Sequence, residues 1–325
     1  MKNELRGKVV VITGASSGLG RAGAIEFARL GCRLAIGARR EDALAETARQ
    51  CLAVGAEDAL VVPTDVTVEA DVMALAERAL SAFGRIDVWV NNAGVTAFAA
   101  LEDGSFDIHR RVVETNLFGS MYGARAVLPI FKRQASGILI NVGSTLSVVA
   151  QPYVPSYVVS KFAIRGLTEL LRTELADHPN IHACTLMPYA FDSPHFQAGA
   201  NLMGVDPHPM PPQQSPEKVA RAMVSLAARP RRELHVPRYI KLGVILHSLM
   251  PEVVERATLH IVREWHFGFA HQGKTSGNLF KGDDEARGVH GRRAARTSLP
   301  GLLAWAAAHF MARPSRKAAL RPHAT

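Results

Sequence analysis

Cysteine is scarce in this chain. The three present, Cys32, Cys51 and Cys184, include no CxxC pair. That excludes a disulfide scaffold and a cysteine-built zinc site, and it fits a reducing, cytoplasmic compartment. No metal site is assigned. Long apolar runs are also missing. The nearest to the roughly 18 residues that span a bilayer is the short stretch 301–312, GLLAWAAAHFMA. The opening MKNELRGKVVVITG has no apolar run ahead of a small-residue cleavage site, and reads as a mature start and not a signal peptide. Acidic residues are absent from one region. Between Ala286 and Thr325 there are eight Lys or Arg and no Asp or Glu, so nearly all of the formal charge of +9 sits in the last forty residues. The remainder is close to neutral, which excludes a general polyanion-binding body. Few aromatics interleave with the tail's arginines and no recognition motif accompanies them, so nucleic acid is not expected as a partner. What remains is ordinary globular composition, 48% hydrophobic and 21% charged over 325 residues. That length suits one α/β domain of about 250 residues plus an appendage.

The first two-thirds alternates strand and helix. Residues 8–13, 32–37, 59–62, 86–90, 137–142, 181–187 and 232–236 read as strands. Residues 21–30, 43–53, 68–82, 106–131 and 157–175 read as helices, and a further helix starts with Ser215 as N-cap and Pro216 at the first position. The pattern predicts a Rossmann-like, doubly wound parallel sheet of about seven strands with helices on both faces. We divide the chain into a domain over 1–250, with a substrate loop at 189–214, and an extension over 251–325. The loop has five prolines and no period, and so long a loop is usually functional. The extension opens with a helix over 251–262, then becomes glycine-rich. Residues 265–269 (WHFGF) and 278–280 (NLF) look like packing anchors in an irregular segment.

Between the first strand and first helix stands TGASSGLG, with Gly14, Gly18 and Gly20 spaced as GxxxGxG. Glycines there let the backbone approach a pyrophosphate, and the helix that follows aims its free N–H groups at the anion. At the end of the second strand, where NAD readers place a carboxylate, the residues are Arg39 and Arg40. Guanidinium groups suit the extra phosphate of NADP(H), which is favoured over NAD(H).

The sharpest motif is YVVSK, Tyr157 to Lys161. A spacing of four places both side chains on one helix face. A free phenol titrates near 10, and a neighbouring ammonium is expected to lower that value and make a tuned acid/base. Taken in order, TGASSGLG, Asp65, Asn91 to Gly94 (NNAG), Asn116, Ser144, Tyr157 and Lys161 resemble the classical short-chain dehydrogenase/reductase family over roughly residues 5–250, with Ser144 thirteen positions before Tyr157.

The resemblance implies a role for each position. Gly14, Ser16, Ser17, Gly18, Leu19 and Gly20 hold the pyrophosphate side of the cofactor. Asp65 and Val66 flank the adenine, and Asn92, Ala93 and Gly94 support the neighbouring ribose. Tyr157 is general acid in reduction and base in oxidation. Lys161 bonds the nicotinamide ribose and tunes Tyr157. Ser144 bonds the substrate oxygen, with Ser147 its close rival. Asn116 holds a water behind Lys161, or simply bonds backbone within its helix, and Asn91 either belongs with the NNAG site residues or only holds the sheet. Pro188 and Ser193 fit the segment after the sixth strand, Ser193 towards the carboxamide. Tyr189 departs from the family, standing where a glycine is usual. The implied partner set is a homo-oligomer, dimer or tetramer, pairing through helices 106–131 and 157–175.

Tyr189, Phe191 and Phe196, with Tyr153 from the other side, offer an apolar and aromatic surface for a small ketone, aldehyde or alcohol. Leu202, Met203 and Met210 extend it. His195 is a substrate contact or, as a lone loop histidine usually is, solvated. The basic tail with its apolar stretch has two readings: peripheral contact with a membrane surface, or packing on this protein's own body or a second subunit. The whole reads as an NADP(H)-dependent carbonyl reductase or alcohol dehydrogenase, against the alternative of a nucleotide-binding interaction protein with an idle catalytic set.

Overall fold

The computed structural model describes residues 2–282 and 288–291. Strands β1 (Val9–Thr13), β2 (Arg33–Ala38), β3 (Asp58–Pro63), β4 (Val88–Asn91), β5 (Gly137–Val142), β6 (Ile181–Pro188) and β7 (Glu233–Val236) form one parallel sheet in the order β3-β2-β1-β4-β5-β6-β7. Every residue of β1 is buried. The reason is period two with both faces covered. Val10 and Ile12 point to one face, where Phe27 of α1 (Gly18–Ala28), Leu44 of α2 (Glu41–Val54) and Met223 of α7 (Pro216–Ala228) pack. Val11 points to the other, against Leu75 of α3 (Glu69–Phe83), Phe131 of α5 (Gly119–Gln134) and Leu171 of α6 (Pro155–Glu174). Each such buried side chain contributes about 1.5–3 kcal/mol. The predicted doubly wound architecture is therefore the one present.

The helix predicted over 106–131 is interrupted. It consists of α4 (Phe106–Val113), a π-helical turn at Glu114–Phe118, and α5. Asn116 lies in that wide turn, a geometry frequent at functional sites. Asn91 is structural. Its Oδ1 accepts from Trp89 Nε1 at 2.7 Å, and its Nδ2 donates to the Ser120 carbonyl at 2.9 Å and to Asn141 Oδ1 at 2.8 Å. Asn141 in turn donates to Thr168 Oγ1 at 2.8 Å, tying the sheet to α5 and α6. Ser215 caps α7, accepting the Lys218 N–H at 3.3 Å. All three cysteines are free and buried, and burial pushes their thiols up, to about 12 for Cys32 and Cys51 and about 11 for Cys184.

The aperiodic loop and the extension fold together. Ala200–Asn201 of the loop pairs in parallel with Ala97–Phe98, and Val205–Pro207 pairs antiparallel with Phe267–His271 of the extension. That last strand, and the helix α8 (Ile240–Leu249), carry no signal in our sequence reading. The expected helix after Met250 is α9 (Pro251–Ile261), followed by a π turn at Val262–His266. Of the expected anchors, Phe267 and Leu279 are buried, whereas Phe280 is exposed and anchors nothing. No helix among the described residues is long and apolar enough to cross a membrane. The apolar stretch at 301–312 and nearly all the basic tail lie outside the described residues.

Candidate active site

The strand order reverses between β1 and β4, and the cleft opens there, beyond the C-terminal ends of the strands. The glycine turn follows β1. Gly14 has φ +69°, and a Cβ on it would lie 2.7 Å from Ala93 Cα. A Cβ on Gly20 would overlap the Gly14 carbonyl. Only glycine fits both positions. Asn92 Nδ2 donates to the carbonyls of Thr13 at 2.9 Å and Gly14 at 3.2 Å, and the Asn92 N–H donates to Thr13 Oγ1 at 3.0 Å. The turn and the NNAG segment are thus clamped together. Ser17 is the N-cap of α1 but its side chain makes no capping bond, so the helix N-terminus faces the cleft uncovered by that hydroxyl.

At one end the cleft is lined by Arg39, Arg40, Asp65 and Val66. Asp65 accepts from the Thr67 N–H at 3.0 Å, the Thr67 hydroxyl at 2.8 Å and Arg111 Nη2 at 3.0 Å. Burial opposes its charge, but the Thr67 bonds and the charges of Arg111 and Arg39 together hold it below the ordinary carboxylate range. Arg39 and Arg40 follow β2 directly, ahead of Glu41 and Asp42 in the first turn of α2.

At the other end Ser144, Tyr157 and Lys161 share one wall. Ser144 caps a 3-10 turn at Thr145–Ser147, its Oγ accepting the Leu146 N–H at 3.1 Å. Ser147 is fully buried and accepts the Ser144 N–H at 3.1 Å, so the hydroxyl in the cleft is that of Ser144. Lys161 Nζ donates to the Val142 carbonyl at 2.8 Å and sits 5.4 Å from the centre of the Tyr157 ring.

The expected acidification of Tyr157 is overturned in this structure. Burial pushes the phenol up to about 12, against a smaller opposing pull from the Ser144 hydrogen bond. Burial also brings Lys161 down to about 8. For both groups desolvation of the charged form is the largest cause.

Every residue singled out for a nucleotide lines the cleft: Gly14, Ser16, Ser17, Gly18, Leu19, Gly20, Arg39, Arg40, Asp65, Val66, Asn92, Ala93, Gly94, Tyr157, Lys161, Pro188 and Ser193. The glycine cradle, the helix end beside it and the two guanidiniums fit a dinucleotide. Asn116 stands behind the wall. Its Oδ1 accepts the Val95 N–H at 2.8 Å, while its Nδ2 donates to the Val95 carbonyl at 3.0 Å and to Ser160 Oγ at 2.9 Å.

Tyr189, Phe191 and Phe196 line the cleft, but Tyr153 does not. At φ +66° it turns its ring onto Phe267, edge to face at 5.6 Å. The neighbouring Val154 takes the place expected of it. Tyr189 follows β6 with its N–H on the Val236 carbonyl at 2.8 Å and its hydroxyl on the Pro211 carbonyl at 3.1 Å, so the ring in place of glycine is accommodated by the loop.

Sequence reasoning missed Phe98, Leu146, Gln151 and His266 in the wall. It also left His195 open. The His195 ring lies 5.5 Å from that of Tyr157, and burial, then the charge of Lys161, lowers its pKa to about 4. His195 is a neutral, half-buried ring in the cleft wall.

The family model for short chain dehydrogenases matches residues 8–201. The chain is 36% identical over 256 residues to the oxidoreductase YxnA of Bacillus subtilis (strain 168), covering 78% of this chain and 72% of that protein. It is 32% identical to 11-beta-hydroxysteroid dehydrogenase A of Sesamum indicum, covering 78% and 74%. A short-chain dehydrogenase/reductase of Burkholderia phymatum solved in complex with NAD superposes with a TM-score of 0.69 at 31% identity, covering 77% of this chain and 96% of that one. An alcohol dehydrogenase of Thermococcus sibiricus complexed with 5-hydroxy-NADP superposes with a TM-score of 0.61 at 32% identity, covering 70% and 95%. With the glycine cradle, the NNAG clamp and the YVVSK wall around one cleft, the chain belongs to the short-chain dehydrogenase/reductase family of oxidoreductases.

Proposed function

We propose that this oxidoreductase uses NADP(H) to interconvert an apolar ketone or aldehyde and the matching alcohol. The observation that carries the reading is a single cleft with Ser144, Tyr157 and Lys161 at one end and Arg39 and Arg40 at the other. The glycine turn and the N-terminus of α1 hold the pyrophosphate, the two arginines hold the adenosine phosphate, and Asp65 and Val66 flank the adenine. Asn92, Ala93 and Gly94 border the ribose. Pro188 and Ser193 flank the carboxamide. The dinucleotide, when bound, supplies or accepts the hydride.

The chain's own work is to place the carbonyl and move its proton. The Ser144 hydroxyl donates a hydrogen bond to the substrate oxygen and stabilises the charge that builds there. Tyr157 gives its hydroxyl proton to that oxygen in reduction and takes it back in oxidation. Burial holds the phenol in its protonated, donor form at neutral pH. Lys161 bonds the nicotinamide ribose and places positive charge beside the phenol. Asn116 fixes the Val95 backbone beneath the cleft.

Substrate preference follows from the wall. Phe98, Leu146, Val154, Phe196 and Met210 exclude water, and the neutral His195 adds no charge. A lipophilic carbonyl suits this surface better than a sugar phosphate. Exposed apolar residues on the outer faces of α4 to α6, among them Phe106, Met121, Val159 and Leu170, support pairing of subunits through these helices.

The test is NADPH oxidation with a panel of apolar ketones, wild type against Tyr157→Phe. Turnover is expected to fall by about 10²–10⁴-fold while NADPH still binds. Equal rates in the two proteins would leave an idle nucleotide-binding fold as the better account.

A further inference from the structure

We propose that residues 277–282 and 288–291 of the extension form the outer wall of the dinucleotide site, a strap at its rim that slows the cofactor's departure. The proposal rests on the cofactor reading above, and nothing in the family match, which ends at residue 201, supplies it.

The strap is tied at two places along the cleft. At the adenosine end, Arg39 Nη2 donates to the Asn278 carbonyl at 2.7 Å and Nη1 to the Leu279 carbonyl at 3.2 Å. Arg111, which also holds Asp65, donates from Nε to the same Leu279 carbonyl at 3.1 Å. The Leu279 side chain is fully buried against Val95, Ala97 and Val112, so this anchor is a plug as well as a set of hydrogen bonds. Gly282 lies on the stem of Arg40, so close that a Cβ would come within 2.7 Å of its Cγ.

At the pyrophosphate end, the Gly18 N–H donates to the Gly288 carbonyl at 2.9 Å. The Gly291 N–H donates to Asp192 Oδ1 at 3.0 Å. The His290 ring bridges two carboxylates, Asp192 Oδ2 at 2.9 Å and Glu217 Oε1 at 2.8 Å. Asn278 and Gly282 line the cleft together with the arginines and the glycine turn. Asn278 and Gly282 therefore border the cleft, and 288–291 hold on beside it through Gly18 and Asp192. A dinucleotide in the cleft is bounded by the sheet on one side and the strap on the other, and leaving requires the His290 bridge and its neighbours to open. The arginines thus have two tasks: meeting the adenosine phosphate and mooring the strap.

The experiment uses the full chain and NADPH. Bound NADPH is chased from wild type, His290→Ala and Gly291→Val in a stopped-flow fluorimeter. Valine at 291 would place its Cβ 2.6 Å from the Ser193 carbonyl oxygen and 2.9 Å from Asp192 Oδ1, prising the strap away from that tie. Release is expected to quicken about threefold or more in both variants, the scale set by losing a surface ion pair and its neighbours. Hydrogen exchange adds a second readout: amides at 278–282 and 288–291 of wild type become more protected on adding NADPH. Release within twofold of wild type in both variants, tighter binding in Gly291→Val, or unchanged protection overturns the strap. If wild type binds neither NADPH nor NADH, the cofactor reading itself has failed; if it binds and only release is unaltered, the strap alone has failed.

Discussion

The two walls of the cleft are built differently. The sheet wall belongs to a core in which β1 and its neighbours bury whole apolar runs, with Val10, Ile12 and Leu34 fully enclosed. The outer wall comes from the loop and extension, next to α8 and α9, which bury no side chain and leave Leu242 and Leu249 71% and 74% exposed. One wall is held by hydrophobic burial. The other is held by backbone hydrogen bonds, a few plugs such as Leu279, and ion pairs at the rim. Segments of the second kind open locally at lower cost than the core. A binding site that must both orient a ligand and release it gains from having one wall of each sort.

The contrast is sharpest in stability. Leu34→Ala, in the sheet, is expected to lower the unfolding free energy by about 2–5 kcal/mol, while Leu242→Ala on α8 changes it by less than about 0.5 kcal/mol. Urea unfolding of the two variants measures both. Similar losses would mean α8 is part of the same cooperative core, and the comparison would break.

The next largest effect concerns the arginine shared by both walls. Arg39→Asp is expected to weaken NADPH binding about 10- to 100-fold and NADH binding much less, the range of a lost charge-assisted hydrogen bond. Titration of each dinucleotide by fluorescence decides it. Equal losses would assign Arg39 to mooring Asn278 and Leu279 alone.

A smaller effect tests the dryness of the inner wall. Lys161 titrates near 8 in the fold, below its unfolded value of 10.5, because burial penalises its charge. Between those values the unfolded chain binds more protons, so this group makes stability rise with pH through that window. The rise contributed is on the order of 1–3 kcal/mol. Lys161→Met should remove it, read as the difference between the two proteins in urea unfolding at pH 8 and pH 10. Parallel pH profiles would mean water reaches the ammonium and the site is wetter than the structure shows.

Much of the inner wall was legible beforehand. The strand–helix alternation, the glycine turn, the Ser215 cap and the pairing of Tyr157 with Lys161 are written in residues within a few positions of one another. The loop at 189–214 was not, because its short strands form only by pairing with Ala97–Phe98 and Phe267–His271, which are far away in the chain. Tyr153 misled for a related reason. Its position promised a cleft contact, yet a left-handed backbone turns the ring onto Phe267. His195 and His266 were unreadable as wall residues, since a histidine in a loop has no local pattern that marks it as buried.

By itself the sequence determined the doubly wound sheet, the place of the glycine-lined cleft and the trio Ser144, Tyr157 and Lys161 on its wall, because hydrophobic period and residue spacing act over one or two turns of chain. Only the tertiary structure decided how dry that trio is, which rings enclose it, and that carbonyls some 240 positions beyond Arg39 in the chain meet its guanidinium. Proton affinity and enclosure depend on what surrounds a group in space, and those surroundings are assembled from segments that share no local signal.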